Sequence, residues 1–142
     1  MAITSQKLAL DSRLLVIEEL LLQRKTDIAR RDLESLREDE FSGDRVQHGF
    51  FVTLRAELAW IDGDYRQALN WGLEGASQLA DSPFNRQYAR ALYVVSKTYS
   101  ALGDGKSAEV RARDALAAYR RAGDSIGHQA SKHRFCARHV AD

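Results

Sequence analysis

Apolar and small residues recur at three- and four-residue steps along most of this chain. Ala89, Leu92, Val95, Ser96 and Tyr99 form one such stripe, and Val52, Ala56 and Ala59 match it 40 residues earlier. That period is helical, and no segment alternates apolar with polar residues as a half-buried strand does. The stripes are interrupted at regular points. Gly-Asp occurs at 43–44, 63–64, 103–104 and 123–124, and the member of the series near 83 is Ser82-Pro83. Glycine adopts the left-handed conformation that ends a helix, and aspartate accepts a hydrogen bond from the free N–H groups of the next. Ser82-Pro83 predicts a serine N-cap with proline in the first turn. The pattern predicts seven helices, at 6–23, 27–40, 45–62, 65–80, 84–102, 105–122 and 125–139. The first break, Gln23-Arg24-Lys25-Thr26-Asp27, has no glycine, and Thr26 is its expected cap.

Links this short force neighbouring helices antiparallel, so a break every 20 residues makes helix pairs with a repeat of 40. Ala29, Ala68 and Ala108 stand at matching places in the second helix of each pair. Small residues there let two helices cross closely. The expected architecture is one all-α domain over 1–142, with repeats at 6–42, 43–82 and 83–122 and a final helix at 124–139.

Leu92 through Asp104 resembles the first helix and turn of a tetratricopeptide repeat, and Ala108, Ala112, Ala115 and Leu116 resemble its second-helix positions. Ala59 through Leu69 repeats the turn. The segment Ala118 through Asp124 lengthens the unit to about 40 residues, which is similar to the extended repeats of bacterial maltose-activator-type regulators. The resemblance is strongest over 50–124 and weakest over 6–40. It implies a short right-handed α-solenoid of helix pairs that acts as a non-enzymatic scaffold, holding a protein or peptide partner in a concave groove. The alternative it implies is a sensory module of a bacterial signalling or transcription regulator. Three residues depart from the family pattern. Arg55 replaces an aliphatic residue, and Gly72 and Gly75 replace bulkier ones, loosening their helix by about 1 kcal/mol each relative to alanine.

Composition narrows the function classes. The net charge is +1, so no global field steers the chain to nucleic acid or membrane. A single cysteine, Cys136, excludes an intrachain disulfide. The run Leu14 to Leu22 is broken by Glu18 and Glu19 and is too short to span a bilayer. There is no basic segment followed by an uninterrupted apolar run, so a cytoplasmic location is expected. Spacings for nucleophilic catalysis and glycine-rich phosphate loops are absent, so no enzyme activity and no cofactor are expected. His128, His133, Cys136 and His139 carry ligand-type atoms, but helical spacing does not converge them on one point, so no metal site is expected. The basic C-terminal region from Arg111 to Arg138 is preceded by Glu109 and interrupted by Asp114 and Asp124, which reads as solvated surface rather than a nucleic-acid patch.

Two surfaces remain. The first helix is apolar on more than one face, and Leu14, Ile17 and Leu21 are candidates for self-association into a homodimer. In similar repeats the first helix of each pair lines the groove. Phe50, Thr53, Glu57 and Trp60 lie on one stripe of the third helix, and Arg90, Tyr93, Lys97 and Ser100 on the matching stripe of the fifth. Such a groove suits a peptide with apolar anchors and an acidic group. The alternative reading of the same residues is that Trp60 and Tyr93 pack between helix pairs and that Glu57 and Lys97 form only a cross-helix ion pair.

Overall fold

The computed structural model describes residues 2–123. It consists of six α-helices: α1 (Ala2–Leu22), α2 (Thr26–Glu34), α3 (Arg45–Ile61), α4 (Tyr65–Leu79), α5 (Asn85–Ala101) and α6 (Gly105–Ala122). A single 3-10 turn, Glu38–Phe41, separates α2 from α3. There is no strand among the described residues. The seventh expected helix and the His/Cys cluster at 128–139 lie outside them.

The punctuation works as the residue types dictate at Gly63 and Gly103, whereas Gly43 follows the 3-10 turn and does not take a positive φ. At the end of α3 the Gly63 amide bonds the Trp60 carbonyl and the Asp64 amide bonds that of Ala59. The α5 end repeats this with Gly103 on Ser100 and Asp104 on Tyr99. Both are Schellman turns, and Gly63 and Gly103 have φ of 80° and 88°. Asp44, Asp64 and Asp104 then accept from the amides of Gln47, Gln67 and Ser107, capping α3, α4 and α6.

The first break is the same turn without its glycine. Arg24 bonds Leu21, Lys25 bonds Leu20, and Arg24 takes a φ of 61°, the described non-glycine residue in the left-handed region. Arg24 therefore stands in register with Gly63 and Gly103. Thr26 is not the cap expected of it. It is the first residue of α2, and the preceding Lys25 contributes no side-chain cap. An L-residue in this conformation is strained by about 1–2 kcal/mol. Glycine relieves the strain and returns part of the gain through unfolded-chain entropy. Arg24→Gly is therefore expected to raise stability by about 0.5–1 kcal/mol; a urea midpoint at or below that of the parent would contradict the turn assignment.

Two further expectations are corrected. The helix expected over 27–40 ends at Glu34. The Ser35 hydroxyl bonds the Asp32 carbonyl, a local bond that competes with helix continuation. The 3-10 turn then brings Phe41 onto Phe51, their ring centroids 4.5 Å apart. Ser82 does not cap α5, and Pro83 is not in its first turn. The α5 cap position is Phe84, and Ser82 instead donates to Leu79 and accepts from the Phe84 amide.

Each helix packs on its sequence neighbour, α1 packs on α3, and α3 packs on α5. Comparable packing among α2, α4 and α6 is absent, so the odd-numbered helices form a closer layer than the even-numbered ones. Leu10, Leu14, Ile17, Ala29, Leu33, Phe41, Phe51 and Leu54 make the larger core, at the α1 end. Ala29, Ala68 and Ala108 are buried, as their spacing requires. At the last, the α6 backbone comes close enough for its carbonyl to accept from Ser96 at 2.6 Å. Arg55, the departure from an aliphatic residue, is used as a flat cation. Its guanidinium lies 4.5 Å from the Phe51 ring centroid and 5.4 Å from that of Trp71.

Candidate functional site

The groove residues named from the sequence divide into two sets. Phe50 and Thr53 are inside the molecule. Phe50 belongs to the α1-side core, and the fully buried Thr53 faces α4, its hydroxyl bonding the Gly49 carbonyl at 2.7 Å. Glu57, Trp60, Arg90, Tyr93 and Lys97 do come together, on the α3–α5 face of the odd-helix layer. They pair differently from the expectation. Glu57 does not meet Lys97; its Oε2 accepts from Arg90 Nη2 at 2.6 Å. Lys97 Nζ lies 4.2 Å from the Trp60 ring centroid and 5.0 Å from that of Tyr93. The reason is register. Arg90 stands across from Glu57, whereas Lys97 lies two turns further on, across from Trp60. Trp60, Tyr93 and Lys97 are partly exposed, and Ser100 beyond them is exposed.

Sequence reasoning missed two residues of this face. Glu18 of α1 is 4% exposed and pairs through Oε1 with Arg86 Nη1 of α5, 68 positions away in sequence. Its Oε2 is 3.8 Å from Arg90 Nε. Glu18, Glu57, Arg86 and Arg90 thus join α1, α3 and α5 in one charge network. Among the described residues it sets two carboxylates against two guanidiniums. Burial works against the charged form of Arg90, but the Glu57 and Glu18 carboxylates outweigh it and hold the guanidinium above its ordinary value. The network is not fully bonded: Glu18 Oε2, Arg90 Nε and Trp60 Nε1 are buried and have no hydrogen-bond partner. In sequence the pair Glu18-Glu19 reads as a solvated charge run, and the burial of Glu18 corrects that reading; its legible signal is the break in the Leu14–Leu22 run, since a carboxylate within an apolar face needs a partner.

The residues named for self-association lie against the chain's own core. Leu14 and Ile17 are fully buried, and Leu21 packs on the same cluster. The exposed apolar residues of α1 are Leu8, Leu15, Val16 and Leu22. Val16 and Ile17 also line a depression of about 270 Å³ with Ser12, Arg13 and Asp32.

On the other side of α3, His48 ties three elements. Its Nδ1 is 2.8 Å from Gln78 Oε1 of α4, and its Nε2 is 3.0 Å from Glu38 Oε1 of the 3-10 turn. Burial lowers the His48 pKa, but Gln78, Glu38 and Glu74 together outweigh it and raise it above 6.5. The bond from His48 lowers that of Glu38. A raised histidine stabilises fully below its unfolded pKa, and the contribution is lost as pH rises through the folded value. His48→Gln is accordingly expected to lower the melting temperature most near pH 6, and by progressively less toward pH 8.5. A deficit that grows with pH would contradict the assignment.

No group of three or more metal-ligating side chains is found among the described residues, and no helix among them is long and apolar enough to cross a membrane. Comparison of the chain with protein-family models, with curated proteins and with solved structures finds no match in any of the three.

Proposed function

We propose that the chain is a non-enzymatic interaction scaffold of the tetratricopeptide type, and that it receives a peptide segment of a protein partner on the face shared by α1, α3 and α5. The observation that carries this reading is the arrangement of Trp60, Tyr93 and Lys97. Two aromatic rings flank a cation at a partly exposed position, on the layer where successive odd helices meet. Aromatic residues in that setting supply apolar area together with a polar handle, the usual composition of an interface anchor. The charge network beside them fixes the three helices relative to one another, so the face is preorganised.

The test is to pan a display library of 12-residue peptides on the protein and to measure the recovered sequences against Tyr93→Ala/Lys97→Glu, with folding checked by circular dichroism. Binding is expected to weaken at least tenfold in the folded double variant. Unchanged affinity, or no recovered peptide, removes the reading.

A further inference from the structure

Five of the ten exposed large apolar residues among the described ones lie between Leu8 and Ile28, so the uncovered apolar area is concentrated at the α1 end. The outer helix of a stacked array is ordinarily polar on its free side. Here that side carries Leu8, Leu15 and Leu22, which are 61%, 47% and 56% exposed. Their spacing of seven places them within about 40° of one another around the helix, and about 130° from the buried stripe of Leu10, Leu14 and Ile17. Seven is also the spacing at which one helix meets another along an apolar seam. The stripe is self-complementary. Leu8 and Leu22 stand at equal distances on either side of Leu15. A second copy laid antiparallel about a two-fold axis at Leu15 therefore sets Leu15 on Leu15, and Leu8 on Leu22 at both ends. That is the reciprocal pairing a two-fold interface requires.

Charge selects the same arrangement. On one flank of the stripe, Asp11 accepts from Gln47 of α3, and Glu18 is turned into the molecule toward α5. On the other flank Ser12, Val16 and Glu19 are exposed, and Glu19 is the charged one. A parallel copy opposes Glu19 to Glu19. The antiparallel copy sets Glu19 beside Ser12 of the second copy, a hydroxyl able to donate to it, and removes the like-charge clash.

We propose that the Leu8–Leu15–Leu22 face of α1 is a homodimer interface, on which two copies of this chain pair antiparallel about Leu15. The paired segment is about 21 Å long by the helical rise, so the interface is at the small end of the size range and the dimer is reversible. Trp60, Tyr93 and Lys97 lie on other helices, so dimerisation and peptide binding are measured separately and neither result decides the other.

Sedimentation equilibrium of the full chain between about 10 and 200 µM is expected to show monomer and dimer in exchange. Leu15→Glu sets two like charges on the axis and is expected to raise the dissociation constant at least tenfold. An equal mixture of Leu15→Glu and Leu15→Lys is expected to restore the dimer. Cysteine cross-linking in a Cys136→Ser background tests the register. The Leu15→Cys variant is expected to form a covalent dimer on oxidation, because the axis sets that position against itself. The Leu8→Cys and Leu22→Cys variants are expected to cross-link when mixed and not when alone. A monomer at every concentration overturns the proposal, as does a dimer that Leu15→Glu leaves intact. Cross-linking of Leu8→Cys alone as readily as with Leu22→Cys overturns the antiparallel pairing. If Leu15→Glu does not fold, the cysteine variants, which keep the face nearly apolar, decide the matter.

Discussion

Alanine at position 75 is expected to destabilise the fold by about 1–3 kcal/mol, although helix propensity alone favours it over glycine by about 1 kcal/mol. A Cβ at Gly75 would sit 2.3 Å from Thr53 Oγ1 and 3.1 Å from the Gly49 carbonyl oxygen. Thr53 has no easy escape, since it is fully buried and its hydroxyl is engaged with Gly49. The helices therefore have to move apart, and α4 has little room to move. On its other side Gly72 meets α5, where a Cβ would lie 2.8 Å from Val95 Cγ2 and 3.2 Å from Val94 Cγ1. These two glycines are close-approach positions rather than the loosening that helix propensity alone suggests. Urea denaturation of Gly75→Ala measures the loss, and Thr53→Ala in the same chain is expected to recover part of it because the two sites share one contact. Gly105 supplies the contrast. It begins α6 with nothing within 4 Å of a built Cβ and no positive φ, so Gly105→Ala is expected to be neutral or slightly stabilising. Equal effects at 75 and 105 would show that backbone entropy, not close packing, governs both.

What was legible in the sequence follows from the range of the interaction that encodes it. A Schellman glycine and a capping aspartate act within five residues, so Gly63-Asp64 and Gly103-Asp104 could be read directly. Ala29, Ala68 and Ala108 were legible because their spacing repeats. Arg24 was not. Its positive φ is imposed by the carbonyls of Leu20 and Leu21, and the side chain gives no sign of it. The early end of α2 was hidden for a similar reason. Ser35 is compatible with a helix, and what stops it here is a hydroxyl-to-backbone bond combined with the pull of Phe41 onto Phe51. On the candidate face, helical spacing named Glu57, Trp60, Arg90, Tyr93 and Lys97, among which Arg90 contacts Glu57 and Lys97 contacts Trp60 and Tyr93. It could not tell that Thr53 turns toward α4, because the boundary between an inner stripe and a helix-crossing stripe is only about 40° wide. Nor could it pair Glu18 with Arg86, a contact made only after three helices have docked.

The second large effect is expected at Arg90. Methionine there keeps most of the volume and removes the charge. Glu57 then loses its 2.6 Å partner, and Glu18 Oε2 loses the guanidinium 3.8 Å away, while both carboxylates stay largely shielded from water. Removing one partner of a buried pair typically costs about 3–5 kcal/mol, because the remaining charge is left uncompensated. Arg90→Met is therefore expected to lower stability by that order, enough to consume much of the few kcal/mol that hold a domain of this size. The deficit does not measure how much the ion pair adds to stability. Replacing both partners with apolar residues of similar volume is often neutral, since the cost of desolvating two charges disappears along with their attraction. Glu57→Leu/Arg90→Met is accordingly expected to be much more stable than Arg90→Met alone. Salt provides an independent check. The exposed pair Lys7–Asp44 should weaken in 1 M sodium chloride, where the screening length falls to about 3 Å, while the Arg90 contribution should change little. If the double variant is no better than Arg90→Met, Arg90 acts through the packing of its aliphatic stem, and the charge network does not organise this face.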